Sequence, residues 1–244
     1  MTWNGNEELL RRALRLYFIM GSNNVPAGIR PEHVLEEAIR GGATMFQFRE
    51  KGTGALQGKA RTELAWRLRQ LCRERGIPFI VNDDVGLALE VDADGVHVGQ
   101  EDEVASAVRA RIGSGRVLGV SAYDEAEAEA AIRSGADYLG VGPIFATRTK
   151  EDAKTAAGPQ AIERIRARGI RLQLVGIGGI TAANAALVIC AGADGVSVIS
   201  AVSMAEEPVD AARRLGAAVE LALTVKASGQ AAKPEAKRGE ADGS

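Results

Sequence analysis

The sequence predicts an α/β protein built as a single-domain (β/α)8 barrel, and three observations predict it. Short runs rich in β-branched residues, continuous rather than alternating in polarity, suit strands buried on both faces. Eight such runs alternate with longer amphipathic helical stretches, the pattern of a parallel sheet with crossover helices. The length of 244 residues suits one barrel of roughly 250.

Each element has its own signal. Leu16 to Met20 is the first strand, followed by a helix over Pro31 to Arg40. Proline there occupies a first turn that needs no amide donor, and Gly41 stands just past the end. Met45 to Phe48 leads to the helix Arg61 to Arg75, which aligns Leu64, Leu68 and Leu71 and closes at Gly76. Phe79 to Val81 is the third strand, and the run Val85 to Leu89 after it is too short to assign. Gly95 to Val98 precedes the helix Glu103 to Ile112, and Leu118 to Val120 precedes Asp124 to Ser134. Tyr138 to Val141 precedes Pro159 to Arg168, Leu174 to Ile177 precedes Ala182 to Ala191, and Val196 to Ile199 precedes Pro208 to Val225.

A weak internal repeat runs through this order. Asp92-Ala93-Asp94-Gly95-Val96, Gly135-Ala136-Asp137-Tyr138-Leu139 and Gly192-Ala193-Asp194-Gly195-Val196 each lead from a helix into a strand. Small residues permit the tight turn and the aspartate can bond its backbone, so these carboxylates read as structural. The barrel is assigned to residues 1–225. Residues 226–244 hold no aliphatic side chain larger than alanine and no aromatic. That segment cannot bury enough apolar surface to offset its ordering entropy, and a disordered tail is expected.

Composition excludes several function classes. Thirty basic against 32 acidic residues leave a net charge of −2, without the excess that phosphate-backbone binding needs, so no nucleic-acid partner is expected. No stretch reaches the ~20 apolar residues of a membrane span, and no apolar run near the N-terminus serves as a signal peptide, so a cytoplasmic enzyme is expected. Two distant cysteines, Cys72 and Cys190, suggest neither a disulfide framework nor a zinc site. They sit in helical patterns as small packing residues. With two histidines, a multi-histidine metal site is excluded.

In this architecture the active site forms where strands end, and polar residues collect there. Gly21-Ser22-Asn23-Asn24, Arg49-Glu50-Lys51, Asn82-Asp83-Asp84 and Gly99-Gln100-Glu101-Asp102 follow the first four strands. Ser121, then Gly142-Pro143 with Thr147-Arg148-Thr149-Lys150, then Gly178-Gly179 and Ser200, follow the others. Arg49 and Lys51 read as either a solvated surface pair or a phosphate site, and their place after the strand favours phosphate; Lys150 adds a third cation. Asp83 and Asp102 suit a hard divalent cation such as magnesium, unless they cap the helices that follow. One of Asp83 and Asp84 is expected to cap, and Asp84 is the one left outside the metal set. Gly178-Gly179 and Ile199-Ser200 offer backbone amides where this fold commonly holds a phosphate. His97 could point into the barrel, as a bonded core residue or as a catalyst. No nucleophile–histidine–acid arrangement is present.

These residues resemble a family. Phe46-Gln47-Phe48-Arg49-Glu50-Lys51, Val81-Asn82-Asp83 and Gly95-Val96-His97-Val98-Gly99-Gln100-Glu101-Asp102 follow the pattern of thiamine phosphate synthase. So do Gly119-Val120-Ser121, Gly140-Val141-Gly142-Pro143-Ile144-Phe145-Ala146-Thr147 with Thr149-Lys150, and Gly176-Ile177-Gly178-Gly179-Ile180. The likeness covers roughly residues 15–220, and Tyr17-Phe18-Ile19-Met20-Gly21-Ser22-Asn23 resembles the Bacillus-type branch.

The resemblance implies a magnesium-dependent transferase acting on two small-molecule substrates. An aminopyrimidine diphosphate loses diphosphate, and a thiazole phosphate bonds through nitrogen to the freed methylene carbon. Carried over by position, Gln47, Phe48, Arg49, Glu50 and Lys51, with Asn82 and Ser121, would form the pyrimidine diphosphate site. Asp83 and Asp102 would hold magnesium, and Lys150 would grip the diphosphate. Thr147 and Thr149 would border the thiazole, with Gly179, Ile199 and Ser200 around its phosphate. Arg49, Lys51, Ser121 and Lys150 form the catalytic set. The aminopyrimidine can stabilise a benzyl-like cation, so the barrier lies in charge growing on diphosphate, which explains a site rich in cations and poor in histidine. A thiazole tautomerase on the same barrel has no diphosphate to expel and would not need the set Arg49, Lys51, Asp83, Asp102 and Lys150. A non-catalytic ligand-binding regulator is the alternative from another class. Homo-oligomers are compatible with the sequence.

Overall fold

The structure, a computed structural model, describes residues 6–147 and 155–231. Eight parallel strands close into a barrel in chain order, with each strand paired to the next and the eighth to the first. The strands are β1 (Leu16–Met20), β2 (Met45–Phe48), β3 (Phe79–Asn82), β4 (Gly95–Val98), β5 (Val117–Ala122), β6 (Tyr138–Val141), β7 (Gln173–Ile177) and β8 (Gly195–Val198). The helices are α1 (Glu7–Ala13), α2 (Pro31–Arg40), α3 (Gly58–Arg75), α4 (Val85–Glu90), α5 (Ala105–Ile112), α6 (Glu125–Arg133), α7 (Gln160–Ala167), α8 (Ala185–Cys190), α9 (Ser200–Ser203) and α10 (Pro208–Ala231).

Differences from the expected spans have local causes. The run at Val85 is a true helix because Asp84 caps it, its carboxylate accepting the Leu87 N–H at 2.9 Å. α8 starts late because Asn184 folds back, accepting the Thr181 N–H and donating to the Gly179 carbonyl. α10 continues past 225 to Ala231. In that stretch the Lys226 amine reaches the Ala193 carbonyl at 3.5 Å and the Ser228 hydroxyl donates to the Thr224 carbonyl at 2.9 Å. Residues from 232 onward lie outside the described residues.

Alternation along each strand divides the interior into two cores. One face packs outward against the helices, with Phe18, Phe46, Phe48, Phe79, Val96 and Leu118 meeting Leu35, Leu64 and Leu68. Three of these rings form a row, Phe18–Phe46 and Phe46–Phe79 both having centroids 5.8 Å apart. The other face fills the barrel with Tyr17, Ile19, Met45, Ile80, Val117, Tyr138 and Val175. Leu10, Ala13 and Leu14 of the N-terminal segment close this inner core at the strand starts. α1 forms because Asn6 accepts the Leu9 N–H, with Glu7 and Glu8 in the first turn and Arg11 and Arg12 in the last.

Strand starts are joined in pairs. The N–H groups of Leu16, Phe79, Leu118 and Leu174, at or near the start of each odd-numbered strand, donate to Thr44, Asp94, Asp137 and Asp194 respectively, at 2.9, 2.9, 2.7 and 3.0 Å. Each acceptor is the residue just before the next strand. Arginines secure two of these joints: Arg166 bonds Asp194 at 2.8 Å and the carbonyls of Gly192, Ile170 and Leu172, and Arg109 does likewise with Asp137, Gly135, Gly113 and Arg116. The repeated aspartates are therefore structural, as their positions suggested.

Candidate active site at the strand ends

At the opposite, C-terminal end the strands surround a cavity of about 440 Å³, room for a small-molecule substrate. Lys51, Asp102, Ser121, Thr147, Gly179, Ile199 and Ser200 line it, each a residue expected in the site. Gln100, one of the polar residues after β4, also lines it, as do Tyr123 and Glu127, which the strand-end pattern does not single out.

The loop after β2 is built around Glu50. Its carboxylate accepts the Ser22 N–H at 2.8 Å, the Ser22 hydroxyl, and the Leu56 N–H at 2.6 Å. That ties the loops after β1 and β2 together and leaves Arg49 buried and Lys51 half-exposed. Gly21 is required there, since a Cβ would lie 2.2 Å from the Arg49 carbonyl oxygen. Two of the expected residues have their side chains engaged elsewhere. Phe48 follows inward-facing Gln47 and so turns into the outer core, where it stacks on Phe79. Glu50 spends its carboxylate on Ser22 of the loop after β1 and on the Leu56 amide of its own loop.

Lys51 Nζ stands 3.0 Å from Asp83 Oδ2 and 3.7 Å from Asp102 Oδ1. Asp83 takes a left-handed backbone with φ 62°, uncommon for a residue with a side chain. Asp102 accepts the Gly99 N–H at 2.8 Å and does not cap α5. Burial, and then the neighbouring Asp102 carboxylate, push the Asp83 carboxyl above its ordinary range. Burial also pushes Asp102 up, but its hydrogen bonds from Asp83 and the Gly99 amide, with the charge of Lys51, outweigh that and hold it low. A cation between the two carboxylates would relieve the repulsion that raises Asp83. The two carboxylates, already gathered around a positive charge, fit a hard divalent cation. Among the described residues there is no third metal-binding side chain in reach, so water and substrate oxygens would complete the shell. Asp84, by contrast, caps α4 and pairs with Arg61 at 2.9 Å, as expected of one member of the pair.

On the far side of the cavity the loops after β6 and β7 are stitched together. Ile144 N–H donates to Ile177 O at 2.8 Å and Phe145 N–H to Gly178 O at 3.0 Å. Gly179 needs its glycine twice over, having φ 64° and room for no Cβ, which would lie 2.6 Å from the Ala146 carbonyl oxygen. Ile199 ends the sheet and turns the chain into α9, setting Ser200 beside the cavity. Arg148, Thr149 and Lys150 lie outside the described residues.

Below the cavity floor, polar side chains cross the inner core. Gln47 Nε2 donates to the Tyr17 hydroxyl at 2.7 Å, and the Tyr17 and Tyr138 hydroxyls are 2.8 Å apart. Tyr138 meets His97 Nδ1 at 2.9 Å, and His97 Nε2 meets Ser121 Oγ at 3.0 Å. Gln47, Asn82 and Ser121 thus stand on three inward-facing strands, but Gln47 has committed its amide nitrogen to Tyr17. His97 does point into the barrel. The two tyrosines were missed; the available signal was glycine at 119, between His97 and Tyr138 in strand register.

The chain matches the thiamine monophosphate synthase family over residues 16–202. The thiamine-phosphate synthase of Geobacillus kaustophilus is 58% identical over 216 residues, covering 88% of this chain and 96% of that protein. The thiamine-phosphate synthase of Bacillus velezensis is 55% identical over 209 residues, covering 86% of this chain and 92% of the relative. Among solved structures, the thiamine phosphate pyrophosphorylase from Pyrococcus furiosus superposes with a TM-score of 0.78 at 38% identity, covering 88% of this chain and 99% of that one. With the barrel and a strand-end cavity lined by Lys51 on one side and by Gly178, Gly179, Ile199 and Ser200 on the other, this chain belongs to the thiamine monophosphate synthase family.

Proposed function

We propose that the chain joins 4-amino-2-methyl-5-hydroxymethylpyrimidine diphosphate to hydroxyethylthiazole phosphate, releasing diphosphate and forming thiamine phosphate, as a magnesium-dependent enzyme of the cytoplasm. The observation that carries this reading is the cluster of Lys51 with Asp83 and Asp102 at the edge of the cavity. A lysine held between two carboxylates supplies both a cation for a diphosphate and an anionic seat for a metal.

Asp83 and Asp102 would hold the magnesium, which when bound supplies positive charge to the departing diphosphate. Arg49 and Lys51 bind the same phosphates from the protein side, Arg49 as a planar fork and Lys51 as a point charge. Lys150 completes that cationic set. Because the carbon–oxygen bond breaks toward a stabilised pyrimidinylmethyl cation, charge on diphosphate is the main burden, and fixed cations in a partly enclosed site lower the barrier. Ser121 and Asn82 orient the pyrimidine ring, and Gln47 reaches it through its amide oxygen. Thr147 and Thr149 border the thiazole, and Gly179, Ile199 and Ser200 hold its phosphate. The thiazole nitrogen is a free nucleophile, so no strong protein base is needed.

Purified protein incubated with both precursors, with magnesium or with EDTA, tests this by mass spectrometry of thiamine phosphate. Magnesium-dependent product is expected; none, with thiazole phosphate still bound, would point to a tautomerase or regulator. Lys150→Ala should lower turnover by on the order of 10², and unchanged kinetics would remove Lys150 from the mechanism.

A further inference from the structure

The barrel interior is where side chains with unsatisfied polarity cost most. Yet Gln47, Tyr17 and Tyr138 are at most 2% exposed and all three are polar. Their hydrogen bonds have a direction that can be worked out by counting protons. Gln47 Nε2 can only donate, so Tyr17 Oη accepts from it, and the Tyr17 proton must find another acceptor. Tyr138 Oη, 2.8 Å away, is that acceptor. The Tyr138 proton then goes to His97 Nδ1, which leaves the ring proton on Nε2, facing Ser121 Oγ. In this sense both tyrosine hydroxyl protons and the imidazole proton have acceptors. Run the other way, with Tyr138 donating to Tyr17, the Tyr17 proton is left without a partner in the core, at a penalty of roughly 1–3 kcal/mol.

We propose that Tyr138 is a positioning residue that holds His97 as the Nε2–H tautomer, so that Ser121 accepts from the imidazole and turns its own hydroxyl proton toward the cavity. Tyr17 and Gln47 serve the same end by consuming the alternative direction for the Tyr138 proton. Ser121 thereby becomes a hydrogen-bond donor, suited to a ring nitrogen of the aminopyrimidine and not to its amino group. This rests on the pyrimidine lying at Ser121, as placed above.

The barrel has been opened to make the row. Gly119 is the register partner of both His97 and Tyr138, and a Cβ there would fall 2.2 Å from Tyr138 Cζ and 2.4 Å from His97 Nδ1. Gly140, the register partner of Ser121, would place a Cβ 3.0 Å from His97 Cε1. Two missing side chains on adjacent strands let a tyrosine on β6 reach across β5 to a histidine on β4. Burial also pushes both tyrosine hydroxyls well above their ordinary range, so each keeps its proton to donate.

The sequence makes the test direct, since His33 and His97 are its two histidines and His33 is exposed on α2. Long-range 1H–15N correlation spectra of the 15N-labelled protein, with His33→Gln for assignment, report the protonation of each ring nitrogen. The native protein should show His97 neutral, with the proton on Nε2. Tyr138→Phe should lose that single pattern and raise the KM for the aminopyrimidine diphosphate about three- to tenfold, the scale of one hydrogen bond. The KM for the thiazole phosphate and kcat should stay within about twofold, because the contact removed is made equally in the ground and transition states. Tyr17→Phe should keep the Nε2–H form, since Tyr138 still has His97 to donate to, and it serves if Tyr138→Phe fails to fold. An Nδ1–H or doubly protonated His97 in the native protein, a switch to Nδ1–H in Tyr17→Phe, or an unchanged spectrum and KM in Tyr138→Phe would overturn the proposal. A native protein that makes no thiamine phosphate would instead fail the reading of its function, leaving the tautomer result to stand on its own.

Discussion

The space between sheet and helices and the space inside the barrel are both closed to water, but they are filled on different terms. Outside the sheet, Phe18, Phe46, Phe48 and Phe79 pack with leucines of α2 and α3, contacts without direction that many side chains share. Inside, Gln47, Tyr17, Tyr138, His97 and Ser121 depend on specific partners and on proton directions. The contrast teaches a division of labour. The outer core supplies apolar burial, about 25 cal/mol for each Å² removed from water. The inner core gives up some of that burial to hold the floor of the cavity in one arrangement.

The contrast breaks most visibly, if it is wrong, at the phenylalanine row. Phe46→Ala removes a ring that touches Phe18 and Phe79 and should cost about 3–5 kcal/mol, lowering Tm by roughly 10 °C. At a temperature where the variant is folded, kcat/KM should match the native value. A calorimetric scan with steady-state kinetics on the same sample checks both halves, and a large kinetic loss would show that the outer core also shapes the site.

The rim above the inner core should give the opposite sign. Asp83 is held charged against burial and against Asp102, in a left-handed conformation that asparagine tolerates well. A carboxyl raised above its ordinary range disfavours the folded state once ionised, so Asp83→Asn should raise Tm by about 1–2 °C without magnesium. The same variant should lose any stabilisation that added magnesium gives the native protein in thermal melts. A fall in Tm would mean that the ion pair with Lys51 outweighs the repulsion from Asp102.

The smallest effect belongs to the surface. Burial pushes the Glu32 carboxyl up, but the Arg67 guanidinium on α3, with a backbone hydrogen bond and the charge of Arg30, outweighs it and holds the group below its ordinary range. The stabilisation is therefore present above the ordinary carboxylate range and fades as pH falls through the lowered value. Glu32→Gln should lower Tm by about 1 °C at neutral pH and by nothing in strong acid. Thermal melts across pH measure this, and an equal shift at every pH would assign the effect to something other than charge.

Much of this was legible in the sequence because it is periodic. Continuous apolar runs located all eight strands, and knowing the fold placed Lys51, Asp102, Ser121 and Gly179 at one end of the barrel. The turn aspartates read correctly because a carboxylate before a strand has a backbone amide to hand. Other features depend on register, which a single strand does not carry. That Tyr138 reaches His97 follows only once β4, β5 and β6 are aligned and Gly119 falls between them. The side chain of Phe48 shows a related point, since a motif names consecutive residues whereas a strand sends alternate ones to opposite faces. α1 offers too short an apolar stripe, Leu10, Ala13 and Leu14, to be recognised without the barrel opening it covers.

The four joints at the strand starts bear on how this arrangement is reached. A slip of one residue in any strand would exchange the two faces, throwing Gln47, His97 or Ser121 out among the phenylalanines and leucines. Thr44, Asp94, Asp137 and Asp194 each accept from one particular amide near the start of the preceding strand, so a misaligned pair forfeits a bond that the correct pair makes. The barrel thus proofreads its own alignment four times over, at the end remote from the chemistry. Catalytic accuracy at the top is underwritten by four local checks at the bottom, none of which touches a substrate.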